Sequence, residues 1–231
     1  MNVMTWDFST LKRYGFRRKL YRKEMIVLDY IQDKLLYALS SIYDLNFLLK
    51  GGTALYKIYN SGRFSKDIDI NLKKRLDIGA IIEVLSAEGF LVRISRKRET
   101  ENMCFLTLDV SRGALRSVVG VDALYCEYSG EVMDFFSPYP DIPPFKIMVA
   151  RLSDILADKL DAVVRRKKPR DLYDAYIIVK KYGISIKFKN FSKLKTAIEK
   201  VRGSWNSLGE LLLVPLPDFK DVKRVILESV R

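Results

Sequence analysis

Over residues 19–39 the apolar side chains Leu20, Met25, Ile26, Leu28, Ile31, Leu35, Leu36 and Leu39 return at helical spacing with charged residues between them, which predicts one long amphipathic helix. Residues 44–49 read as a short strand and 54–59 as a short helix. Over 66–72, Ile68, Ile70 and Leu72 alternate with Asp67 and Asp69, the pattern of a strand with one apolar face. Asp77 is expected to cap a helix through Ala87 that Gly89 closes. Residues 90–95 predict a strand, 96–102 a charged loop, 103–110 another strand, and 118–125 the last strand of the sheet. Pro138, Pro140, Pro143 and Pro144 mark a linker. Beyond it the pattern turns helical: Ser153 is expected to cap a helix to about Arg166, and Pro169 to open one over 170–182 that ends at Gly183. Segments 192–202, 208–213 and 218–230 follow. This order predicts an α+β fold, a mixed sheet flanked by helices, with a core over 1–137, a Pro-rich linker over 138–150 and a helical domain over 151–231.

Composition narrows the chemistry. The 231 residues are 48% hydrophobic and 12% aromatic, enough for a sizeable core, and a net charge of +13 favours polyanionic partners such as nucleic acid. Lys12, Arg13, Arg17, Arg18, Lys19, Arg22 and Lys23 are interleaved with Tyr14, Phe16 and Tyr21, a composition suited to a phosphate backbone and its bases. The chain has no histidine, and Cys104 and Cys126 are far apart, so zinc centres and His-based triads are excluded. Catalysis must rest on carboxylates, Lys, Arg, hydroxyls and hard metals. No apolar run is long enough for a bilayer and the start of the chain has no signal core, so a cytoplasmic protein without membrane contact is expected.

The candidate chemistry lies in two neighbouring stretches. Asp67 and Asp69 point to one face of their strand about 7 Å apart, a repulsion that a divalent cation, Mg²⁺ or Mn²⁺, would relieve. Upstream, Gly51, Gly52 and Thr53 stand between an apolar run and a helical one, the strand–turn–helix setting of an anion site. Together they describe a site for a nucleoside triphosphate and its metal. A third carboxylate on a neighbouring strand would complete the metal site. Asp122 is preferred because Gly120 leaves its face of the strand open, and Asp109 is second. Lys159 lies on a helical face with Ile155, Leu156 and Val163, and a phosphate is the expected partner for so apolar a setting. Asp171 and Asp174 stand one turn apart at a helix start, where acidic residues often serve the dipole.

The run Gly-Gly-Thr, a short helix, then Arg63-x-Ser65-x-Asp67-x-Asp69 resembles the first motif of nucleotidyltransferases with the DNA polymerase β-like fold. Its wording, and the helices holding Ala157-Asp158-Lys159-Leu160 and Arg170-Asp171-Leu172-Tyr173-Asp174, are similar to the AbiEii/AbiGii toxin branch. The resemblance implies a polymerase-β-like core, Gly51, Gly52, Thr53, Arg63 and Ser65 toward the nucleotide, Asp67 and Asp69 on metal, Lys159 on phosphate, and Asp171 with Arg170 completing the pocket. It also implies transfer of a nucleotide to RNA, tRNA above all, under the control of a cognate antitoxin. Two rivals are a binding module without turnover and, ranked lower, a kinase moving the γ-phosphoryl. Against the kinase, the chain has neither a Walker-type loop nor a His-Arg-Asp signature.

Overall fold

The computed structural model describes residues 7–230. Contacts divide the chain into two units, Met1–Thr53 with Ser65–Val149, and Ala54–Phe64 with Ala150–Arg231. The start of the chain, where a signal core was sought, lies partly outside the described residues.

The first unit opens with α1 (Phe8–Gly15), capped by Asp7, and α2 (Lys23–Tyr43). Its seven strands are β1 (Phe47–Lys50), β2 (Asp67–Leu72), β3 (Leu91–Glu99), β4 (Met103–Arg112), β5 (Leu115–Tyr125), β6 (Glu131–Phe135) and β7 (Phe145–Val149), ordered β3-β4-β5-β2-β1-β7-β6. The β2/β5 and β1/β7 pairs are parallel and the others antiparallel, so the sheet is mixed and the fold is α+β. Helix α2 packs on β5, β1 and β7 and also meets α1 and α4 (Ile78–Ala87), whose N-cap is Asp77. Ile68, Ile70, Val119, Val121 and Ala123 supply the buried apolar face.

Helix α2 is buried nearly all round, so its polar residues need internal partners. Arg18 supplies them for Asp29 and Asp33, at 2.9 and 2.7 Å, and Tyr139 and Ser137 donate to the same two carboxylates. Arg18, expected in the basic cluster facing phosphates, is thereby committed inside the unit.

Three expectations are corrected here. Residues 96–102 are not a loop from their start, because β3 runs on to Glu99 as a charged edge strand whose exposed arginines suit an unpaired edge. Segment 118–125 is not the last strand. Residues 138–150 are not a linker: Tyr139 and Ile142 are buried and Phe145–Val149 lies between β1 and β6. The prolines precede that strand, where a missing N–H costs no ladder bond.

The second unit holds α5 (Leu152–Arg166), α6 (Pro169–Tyr182), α7 (Phe191–Val201), a 3₁₀ stretch (Arg202–Leu211) and α8 (Phe219–Ser229). Ser153 is not the cap of α5: Arg151 occupies that position and makes no side-chain capping bond. Pro169 opens α6 and Gly183, in the left-handed region, closes it, as the sequence predicts.

Candidate active site

In the first unit the site is built by β1, the turn after it, β2 and β5. The turn opens α3 (Gly51–Lys57) with Gly51 at φ +67°, a conformation that favours glycine. A Cβ there would land on Asp69 Oδ2, so only glycine lets the turn lie against this carboxylate. Thr53 is fully buried and its hydroxyl donates to the Asp67 backbone carbonyl, tying the turn to the start of β2. The hydroxyl expected at a phosphate is therefore occupied within the fold. Ser65 is also buried, and its carbonyl and that of Lys66 accept from Gln32 Nε2 at 3.0 and 2.8 Å.

Along β2, Ile68 and Ile70 are buried, Asp67 is exposed and Asp69 half-buried, the alternation the sequence predicts. The parallel neighbour β5 sets Asp122 beside Asp69 and Gly120 beside Asp67. A Cβ on Gly120 would come within 2.7 Å of Asp67 Oδ1, so this glycine makes room for the carboxylate. Three carboxylates thus share one face of two adjacent strands. Burial, with the charges of Asp69 and Asp67, pushes the Asp122 carboxyl up to about 6.

Asp109 stands elsewhere. It lies on β4, one strand beyond β5, and Arg116 grips it with Nε 2.9 Å from Oδ1 and a second bond from Nη2, holding its carboxyl below the usual range. Of the two candidates for third carboxylate, Asp122 is the one next to the pair.

The trio offers only carboxylate oxygens, the donor type that suits Mg²⁺ or Mn²⁺, and its crowding of negative charge fits a cation. Among the described residues no three acidic or thiol side chains are gathered closely enough to hold a metal ion as they stand. The face is therefore an open acidic one rather than a preformed chelate.

The second unit carries the remaining predicted residues. Arg63 is 3% exposed, and its Nε and Nη2 reach Asp174 Oδ1 and Oδ2 at 2.7 and 2.8 Å while Nη1 donates to the Phe64 carbonyl. Lys159 Nζ lies 2.8 Å from Asp174 Oδ2 and 3.6 Å from Asp171 Oδ1, and Arg166 donates to Asp171 at 3.0 Å. Burial pushes the Asp174 carboxyl up, but the Arg63 and Lys159 charges outweigh it and hold the pKa at about 2. So the anion that a buried Lys159 requires is internal, and Arg63, expected at the nucleotide, closes the same cluster. The loop Asn60-Ser61-Gly62 is held as well: the Ser61 carbonyl accepts from Tyr173 and the Asn60 carbonyl from Lys181. Arg170 is exposed and lines a cavity of about 340 Å³ with Lys168, Pro169, Ser207, Leu208 and Leu211.

Gln32 escaped the sequence reading as a site-building residue. The signal was present: it is the chain's one glutamine and sits among the apolar positions of α2, where only a buried partner justifies an amide.

This fold is that of the nucleotidyltransferases. The structure is similar to JHP933 from Helicobacter pylori, with a TM-score of 0.65, 19% identity and 91% of each chain covered. It is equally similar to an H. pylori protein described as a candidate nucleotidyltransferase, with a TM-score of 0.65, 20% identity, and 91% of this chain and 94% of that one covered. At these identities the likeness speaks for the fold alone. A comparison with curated proteins gives no match. The sequence profile of the family described as nucleotidyl transferase AbiEii toxin, type IV TA system, matches residues 34–224. The chain belongs to that family, which implies a nucleotide substrate and an antitoxin partner. Among the described residues no helix is long and apolar enough to cross a membrane.

Proposed function

We propose that the protein transfers a nucleoside monophosphate from an NTP to a hydroxyl of an RNA acceptor, tRNA foremost, releasing pyrophosphate. The observation that carries this reading is the carboxylate trio, Asp69 beside Asp122 with Asp67 two residues along, and a glycine turn laid on Asp69. Asp67, Asp69 and Asp122 would hold Mg²⁺ or Mn²⁺, which when bound supplies the positive charge that stabilises the transferring and leaving phosphates. Gly51 and Gly52 bring backbone rather than side chain to the same edge and leave room for the triphosphate. The acceptor hydroxyl attacks the α-phosphorus, a new P–O bond forms, the α–β bridging P–O bond breaks, and the hydroxyl proton passes to the Asp122 carboxylate. Thr53 and Gln32 position the strand that carries Asp67 and Asp69. Lys159 through Asp174, and Asp171 through Arg166 and Lys159, in this reading brace the second unit rather than meeting the phosphates.

The test is incubation of the purified chain with total RNA, Mg²⁺ and each NTP in turn, labelled at either the α or the γ position. Label from the α position is expected in an RNA band of tRNA size, absent with EDTA and absent from Asp67→Ala. Transfer of γ-label would make the protein a kinase, and binding without any transfer would make it a binding module. Either outcome overturns the proposal.

Gly120→Ala gives a finer check. The added methyl must displace the Asp67 carboxylate, so α-label incorporation should fall by roughly 10- to 100-fold, as for small misplacements of reacting groups. Thermal melting should move by no more than a few degrees.

A further inference from the structure

The face that carries the aspartates continues past Asp122. Residues matched across neighbouring strands point the same way. Phe105 on β4 is the register partner of Asp122, and Arg98 on β3 is the partner of Phe105, so one row reads Arg98, Phe105, Asp122, Asp69. The next row reads Arg96, Thr107, Gly120, Asp67. At about 4.8 Å per strand, Phe105 lies about 10 Å from the Asp69 backbone.

Strict alternation along β3 would send Arg96 and Arg98 to the face opposite Arg93. The register shift between Ile94 and Arg96 prevents that, turning Arg96 and Arg98 onto the aspartate face, as bulges near active sites do. This face is uncovered: Phe105 is 41% and Val118 53% exposed, and all three arginines are exposed. Among the described residues neither Arg96 nor Arg98 is in an ion pair, whereas Lys97, on the opposite face, binds Glu99.

We propose that this face docks the single-stranded 3′ end of a polynucleotide acceptor, with a base stacked on Phe105 and backbone phosphates on Arg96 and Arg98. The inference rests on the transferase reading, which requires an acceptor hydroxyl beside the carboxylates, and it names the surface that delivers it. Guanidinium groups flanking one open aromatic ring match alternating phosphates and bases. The exposed large apolar side chains on this face, Leu91, Phe105 and Val118, stand on three different strands among Arg93, Arg96, Arg98 and Arg116 and offer little of the charge-depleted core that a protein partner's interface has.

Fluorescence anisotropy with a 5′-fluorescein single-stranded RNA 12-mer reads the site on the full chain without any transfer. Phe105→Ala is expected to weaken binding about tenfold, with Phe105→Trp restoring it. Arg96→Ala with Arg98→Ala should weaken binding and lower the slope of log Kd against log salt by about 1.4, the single-strand value for two phosphates. Lys193→Ala with Lys200→Ala, an equal loss of charge from exposed positions on α7, should leave both readings near wild type. A DNA 12-mer of the same sequence tells whether the ribose hydroxyl contributes, and a blunt RNA duplex should show no dependence on Phe105. Wild-type affinity in the Phe105 and arginine variants overturns the proposal. So does an equal effect of the lysine control, which would mean diffuse charge attraction. Loss of antitoxin binding in Phe105→Ala with RNA affinity intact would assign the face to a protein partner instead. RNA binding that depends on Phe105 without any α-label transfer would sink the transferase reading and leave the docking face standing. Transfer with Phe105-independent binding would do the reverse.

Discussion

Asp69→Asn is expected to lower nucleotide transfer by about a thousandfold or more, the scale of removing a group that acts on transition-state charge, and to let the Asp122 carboxyl titrate at lower pH. The two halves of this expectation have one cause. Asp69 sits between Asp122 across the strands and Gly51 at the turn, and its charge helps push the Asp122 carboxyl to about 6. Without metal and triphosphate, that charge repels the Asp122 carboxylate. Removing it relieves the repulsion on Asp122 and also deletes the proposed metal ligand. Carboxyl-carbon NMR of the metal-free variant should find Asp122 titrating below its wild-type value. Asp109→Asn, which breaks the Arg116 clasp on another strand, should keep turnover within a few-fold of wild type. Equal losses in the two variants would mean that Asp122 is not the third ligand.

The parts of this site that could be read from the sequence are those set by local periodicity. Alternation placed Asp67 and Asp69 on one face because a strand's period is two, and Gly120 marked an open place on the neighbouring strand, but that Gly51 and Gly120 make room for the Asp69 and Asp67 carboxylates is visible only in the structure. Partner identity was not legible in the same way. The cost of burying Lys159 was read correctly, but the anion that answers it, Asp174, lies one helix away and no spacing rule singles it out from a bound phosphate. Arg63 stands inside the motif and still turns inward, since its reach to Asp174 depends on packing across more than a hundred residues of chain. Strand β7 was hidden by the prolines before it, and the end of β3 by its charges, because pattern reading equates polarity with loops. The bulge that turns Arg96 and Arg98 onto the aspartate face has no sequence mark at all. It exists only in the pairing with β4.

Asp174→Ala should cost the second unit about 3–5 kcal/mol, the range for breaking a buried pair by removing one partner. Asp174 is fully buried and binds two cations, so its loss leaves the Arg63 guanidinium and the Lys159 ammonium without their anion in a site where water does not replace it. Asp174→Asn, which keeps the shape and part of the hydrogen bonding, should cost less than Ala, and urea titration ranks the two. The pH dependence follows from the same cluster. The Asp174 carboxyl is held at about 2 in the folded protein, against an ordinary 3.8, so its contribution is present above pH 3.8 and disappears as pH falls through 2. That shift corresponds to about 2 kcal/mol. Wild-type stability should therefore drop steeply between pH 4 and 2, and Asp174→Asn should lose that part of the slope. If instead the variants melt like wild type at neutral pH, the Arg63–Asp174–Lys159 cluster is not what holds the second unit, and Lys159 and Arg63 become available for the phosphates after all.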